Sequence, residues 1–132
     1  MIMNSNSDIL MQLRRRAQES PHRRVLDNPH LLGEVQHPSC GDKLLFQAYC
    51  TEERLTTIAF QISGCVLSQA AAALLAEHME GKSFREARTY TIAQLQELIG
   101  LELGPTRAQC VTLAYTALQS MLQKVQVQDA SC

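Results

Sequence analysis

From the sheet onward the hydrophobic period of this chain changes once, at Ser63-Gly64-Cys65, and that change narrows the folds open to it. From Lys43 to Cys50 the residues alternate, with Leu44, Phe46, Ala48 and Cys50 on one face. Thr51-Glu52-Glu53-Arg54 makes a polar turn, and Leu55 to Ser63 alternates back with Ile58, Phe60 and Ile62 together. Period-two alternation on both sides of a short polar turn predicts a β-hairpin. A short strand near Gly33 to Gln36 completes a three-stranded antiparallel sheet. Beyond Cys65 the spacing is helical. Val66 to Glu80 sets Val66, Ala70, Leu74 and Leu75 at helical intervals, and Gly81 supplies the stop. Three capping boxes then follow in order: Ser83…Glu86, Thr91…Gln94 and Thr106…Gln109. Each predicts a helix start, and Gly100 closes the middle helix. The last helix runs from about Arg107 to Val125 and buries Ala108, Val111, Tyr115, Leu118 and Leu122. Sheet first and helices after is an α+β order: a small antiparallel sheet followed by a packed helical half.

Ahead of the sheet, residues 1–27 form a helical, Arg-rich segment. Ser7 or Asp8 caps a helix to about Gln18 that turns Ile9, Leu10, Leu13 and Ala17 to one side. Ser20-Pro21 ends it. A short turn is expected over Arg23 to Asp27, and an irregular segment from Asn28-Pro29. Residues 28–125 form the main domain and 126–132 a disordered polar tail. A chain of 132 residues is long enough to bury a core without staples, and with few aromatics and no tryptophan that core is aliphatic.

The net charge of −1 argues against a generic nucleic-acid or membrane binder. No apolar run approaches the ~20 residues that span a bilayer. Arg14, Arg15, Arg16, Arg23 and Arg24 nevertheless gather five basic residues within one short stretch. They read as a solvated helix end or as a docking patch for an acidic partner. Five cysteines with no secretory signal ahead of them favour a reducing cytoplasm, with thiols kept for chemistry.

Three of those cysteines have distinctive contexts: Pro38-Ser39-Cys40-Gly41-Asp42, Ser63-Gly64-Cys65 and Gln109-Cys110. Cys40 falls on a turn that Gly41 makes tight. Cys65 falls at the strand-to-helix handover, and Cys110 in the first turn of the last helix. Helix N-termini lower thiol pKa values, so Cys65 and Cys110 are expected to favour thiolate, the form that binds metals and attacks electrophiles. Three thiolates and Asp42 can hold a soft metal or an iron–sulfur cluster. The gaps of 25 and 45 residues specify little by themselves, and separate buried cysteines are the plain alternative. Cys50 reads as a small core residue, and Cys132 as incidental. His22, His30 and His78 read as surface residues. His37, three residues before Cys40, is either an exposed loop residue or a nitrogen ligand.

From Asn28 to about Lys124 the chain resembles the iron–sulfur cluster scaffold family: IscU, its relative SufU and the N-terminal domain of NifU. The matching pieces come in family order. They are Asn28-Pro29…Gly33, Pro38-Ser39-Cys40-Gly41-Asp42, Ser63-Gly64-Cys65 before a small-residue helix, Glu80-Gly81-Lys82-Ser83, and the run from Leu101 to Cys110. The resemblance implies a single SufE/NifU-like (IscU-like) domain over 28–125. It implies that Cys40, Cys65 and Cys110 ligate a transient [2Fe–2S] cluster or a zinc ion, with Asp42 as a fourth, weaker ligand. Carboxylate oxygen holds iron less firmly than thiolate in a soft site, so such a ligand keeps the cargo transferable. It further implies that Cys110 accepts persulfide sulfur from a cysteine desulfurase, and that apo-iron–sulfur proteins or carriers receive the product.

Gln109 stands where many IscU-type proteins have histidine, and the capping box with Thr106 gives it a structural task. SufU-type members also lack that histidine but carry an insertion absent here. Leu103-Gly104-Pro105-Thr106-Arg107 replaces the Leu-Pro-Pro-Val-Lys by which IscU binds its dedicated Hsp70 chaperone, which removes the basis for expecting that partner. Two functions result. One is a scaffold and carrier without turnover of its own. The other is a zinc-bound, SufU-like sulfur acceptor that activates its desulfurase. A metal-free interaction module working through the basic N-terminus would require the three cysteine motifs to be coincidental.

Overall fold

The computed structural model describes residues 6–36, 41–101 and 103–127. Helix α1 (Asn6–Gln18) leads into strands β1 (Leu31–Gln36), β2 (Lys43–Thr51) and β3 (Arg54–Ser63). Helices α2 (Val66–Met79), α3 (Phe84–Thr89), α4 (Ile92–Ile99) and α5 (Pro105–Val127) follow. The sheet is antiparallel with order β1-β2-β3. This is the α+β architecture that the change of period predicts.

The alternation in β2 is fully used. Leu44, Phe46, Ala48 and Cys50 are all buried on the inner face. Phe46 lies opposite Phe60 and Leu44 opposite Ile62, so one hydrophobic stripe crosses both strands. The two phenyl rings meet edge to face at 6.5 Å. The hairpin turn places Glu52 and Glu53 at φ of 53° and 62°. Both residues therefore occupy the left-handed region that glycine or asparagine ordinarily fills in such turns.

Helices α2 and α5 cover the inner face, and α1 lies against α2. A helix packed on two sides must be apolar nearly all round. That explains why Ala70 to Ala76 of α2 are buried without a break. Alanine also lets the neighbouring layers approach closely. Helix α5 crosses β1 at Gly33, where an added Cβ would lie 2.6 Å from the Ala117 carbonyl oxygen and 2.7 Å from Met121.

The expected turn over Arg23 to Asp27 is not formed. His22 and Arg23 instead run beside the free edge of β3, with the Phe60 N–H donating to the His22 carbonyl at 2.8 Å. A sheet edge left open is a template for wrong pairing, and this segment covers it at Phe60. Leu26 then lies buried, its N–H donating to Oε1 of the buried Gln47. Two histidines expected at the surface are used in this wrapping. His22 is half-buried, with Nδ1 3.0 Å from the Ile58 carbonyl oxygen and 3.6 Å from Glu80. His30 stays exposed as expected, yet it accepts the Cys50 N–H at Nδ1 and stacks edge-on against Tyr49. His78 is exposed as expected, beside Tyr90.

Ser83 and Thr91 form the capping boxes with Glu86 and Gln94 that the sequence predicts. The third box does not mark the start of the last helix. Helix α5 begins earlier, at Pro105, and its first internal bond runs from the Ala108 N–H to the Gly104 carbonyl. Proline suits the first helical position because its missing N–H would be unpaired there. Thr106 therefore lies inside the helix, and Gln109 stands exposed on it. Among the described residues no helix is long and apolar enough to cross a membrane.

Candidate metal centre

Three elements end at one point. Asp42 precedes β2, Cys65 follows β3 and caps α2, and Cys110 lies in the second turn of α5. One ligand atom from each of Asp42, Cys65 and Cys110 falls within 4.8 Å of the other two. The two sulfurs are 2.9 Å apart. Cys40 and His37 lie outside the described residues.

Each ligand is placed by local structure. Cys65 is the N-cap of α2 in an extended conformation, and its sulfur accepts the Ser68 N–H at 3.4 Å. Thiols are uncommon caps, and here the cap leaves the sulfur reaching solvent. Asp42 is buried, at 8% exposure. Its Oδ2 accepts from the Ser68 hydroxyl at 2.9 Å and from the Cys65 N–H at 3.4 Å. Gly64 makes that position possible. A Cβ there would lie 2.6 Å from Cγ of Asp42 and 2.8 Å from Oδ2. Gln69 fixes the same turn by donating to the Gly64 carbonyl at 2.9 Å.

The expectation of an acidic thiol at Cys110 is overturned. Its pKa is pushed up from 9.0 to about 11. Burial contributes most, then the hydrogen bond with Cys65. The Cys65 and Asp42 charges act in the same direction, and a hydrogen bond with Ser68 opposes them. The helix dipole gives little help, because Cys110 lies a full turn beyond the start of α5. Below pH 9 the metal-free protein therefore keeps the Cys110 proton. Roughly 100-fold less thiolate is present at pH 8 than for a thiol of pKa 9. Alkylation of Cys110 by iodoacetamide, followed by mass spectrometry, should be slow at pH 8 and rise about tenfold per pH unit up to about pH 11. Since the folded-state pKa is the higher one, metal-free stability should be retained below pH 9 and fall as pH climbs through about 11. A Cys110 alkylated at pH 8 as fast as free cysteine would contradict this environment.

Other cysteines take different roles. Cys50 is buried as the sequence predicts. Cys65 and Cys110 keep free thiols. The arginine cluster is partly structural. Arg16 pairs with Glu77 at 2.6 Å, and Arg23 donates to the Ala17 carbonyl at the end of α1 and to Gln69. Arg14, Arg15 and Arg24 are exposed. Ser68 is the site residue that sequence reasoning passed over. Its signal was a hydroxyl three residues after a candidate helix cap, on a helix otherwise made of alanine and leucine.

Two thiols and one buried carboxylate suit a soft or borderline metal such as zinc or iron, not magnesium or calcium. Fold and site together define a small α+β protein with a thiol–carboxylate cluster that could hold a metal ion. The profile of the NifU-like N terminal domain matches residues 11–131, and the chain belongs to that family. The iron–sulfur cluster assembly scaffold protein IscU of Azotobacter vinelandii is 32% identical over 92 residues, covering 69% of this chain and 70% of that protein. The zinc-dependent sulfurtransferase SufU of Bacillus subtilis is 22% identical over 142 residues, covering 94% and 97%. The crystal structure of a nitrogen-fixing NifU-like protein (N-terminal) from Brucella abortus superposes with a TM-score of 0.71 at 18% identity, covering 94% and 99%. That last likeness is one of fold.

Proposed function

We infer that this chain is a scaffold on which an iron–sulfur cluster is assembled and from which it is passed to apo-proteins or carriers. The observation that carries this reading is the meeting of Asp42, Cys65 and Cys110 at one point, in a family whose relatives include IscU scaffolds. Cys40, two residues before Asp42, is the fourth ligand in this reading. The main domain, 28–125, bears the site, and the cluster is cargo rather than a resident cofactor. Sulfur arrives as a persulfide on a cysteine desulfurase. The Cys110 thiolate attacks the outer sulfur, the desulfurase S–S bond breaks, and the desulfurase cysteine leaves as thiolate, with no net oxidation. Because Cys110 holds its proton in the metal-free protein, a positive ion beside it is what favours the attacking form. The protein works where glutathione keeps such thiols reduced, in the cytoplasm.

Anaerobic reconstitution with ferrous iron, cysteine and a cysteine desulfurase tests this. Visible sulfide-to-iron absorption should appear, and it should be lost in Cys40→Ala, Cys65→Ala and Cys110→Ala. Asp42→Ala should hold the cluster several-fold longer, because the oxygen ligand that eases its release is gone. An Asp42→Ala lifetime equal to or shorter than that of the wild type would remove Asp42 from this role.

A second reading is supported by the match to Bacillus subtilis SufU along nearly the whole chain. Here the protein holds zinc at the same residues and accepts sulfur, so raising desulfurase turnover. A colourless protein that retains zinc and accelerates the desulfurase would establish this alternative.

A further inference from the structure

Ser68 is wholly buried, on the first turn of α2. A buried hydroxyl must find partners, and the side-chain partners of this one are all site residues. Its hydrogen goes to Oδ2 of Asp42 at 2.9 Å. Its oxygen lies 3.3 Å from the Cys65 sulfur. With the Cys65 N–H also directed at Oδ2, that oxygen is engaged twice. Among the described residues no group donates to Oδ1. The carboxylate is thus divided: one oxygen is held by the protein and the other is left for a ligand.

We propose that Ser68 is a positioning residue that makes Asp42 a one-oxygen ligand. A carboxylate free to turn can chelate through both oxygens, which raises the coordination number. A carboxylate with Oδ2 tied back offers one oxygen, keeps the site four-coordinate, and keeps its weakest bond easy to exchange. The hydroxyl also fixes where that oxygen stands, so its removal loosens the pre-arranged site. The proposal rests on the reading of Asp42, Cys65 and Cys110 as ligands.

Cobalt(II) is the probe, because its d–d bands are stronger in four-coordinate than in five-coordinate sites and its sulfur charge-transfer band reports thiolate ligation. Wild-type protein should show both features. Ser68→Ala should keep the charge-transfer band, lose about half of the d–d intensity, and bind cobalt(II) about 10- to 100-fold more weakly, the range seen when outer-shell partners are removed. In an Asp42→Ala background, adding Ser68→Ala should change cobalt(II) affinity less than about twofold, since Ser68 then has no carboxylate to position. A Ser68→Ala protein matching the wild type in spectrum and affinity would overturn the proposal. So would an equal loss in both backgrounds, which would assign Ser68 to the thiols or to folding. A wild-type protein without the sulfur charge-transfer band would instead defeat the ligand reading itself, and the role of Ser68 with it.

Discussion

Gly33→Ala should destabilise the protein by about 3 kcal/mol, at the upper end for overpacking a core. The added methyl would fall 2.6 Å from the Ala117 carbonyl oxygen and 2.7 Å from the Met121 N and Cβ atoms. Two of those three atoms are helix backbone, so no side-chain rotation relieves the clash. Helix α5 must lift from β1, or β1 must bow away from α5. Urea unfolding followed by circular dichroism should show the midpoint lowered by roughly 1–2 M for a domain of this size. A midpoint within a few tenths molar of the wild type would show that α5 does not press on the sheet at this residue. The effect should also reach the metal site, because α5 carries Cys110 on the same rigid rod.

Gly64→Ala should weaken metal binding about 100-fold, through Asp42 rather than through any ligand of its own. The new Cβ would occupy the place of the carboxylate, 2.6 Å from Cγ and 2.8 Å from Oδ2. Asp42 has a short side chain and is buried, so it can yield only by swinging out of the site. That would leave the buried Ser68 hydroxyl without its acceptor, itself a cost of about 1–3 kcal/mol. Competition with a chromophoric zinc chelator measures the affinity. Combined with Asp42→Ala, the glycine substitution should add little, because both remove the same oxygen. Wild-type affinity in Gly64→Ala would mean that the carboxylate contributes nothing to the hold on zinc.

The sheet and the order of elements were legible because strands and helices announce themselves by period. Leu44, Phe46 and Ala48 repeat at two, and Ser83 and Thr91 carry complete capping signatures. Where two local signals compete at one helix start, the sequence is ambiguous. At the head of α5 the Thr106…Gln109 pattern is overruled by Pro105. Asp42, Cys65 and Cys110 could be picked out from their neighbours, but the environment of Cys110 could not. Its raised pKa comes from burial and from contact with residues such as Cys65 and Asp42, far away in the chain, which no local pattern encodes. The same limit hid the roles of His22, His30 and Ser68. Each is held by long-range bonds in or beside segments without a distinctive period: His22 to Ile58, His30 to Cys50, and Ser68 to Asp42.

The Glu52–Glu53 turn lies at the opposite end of β2 from Asp42, with Lys43 to Thr51 between them. At about 3.3 Å per strand residue the separation is roughly 33 Å, beyond the screening length of physiological salt. Both glutamates are exposed. A fluorophore or surface tether attached at that tip would ride on the same sheet while leaving the mouth of the site open to a partner. The molecule thus has a spectator end and a working end. Loading and delivery can be watched from the first while the second is occupied.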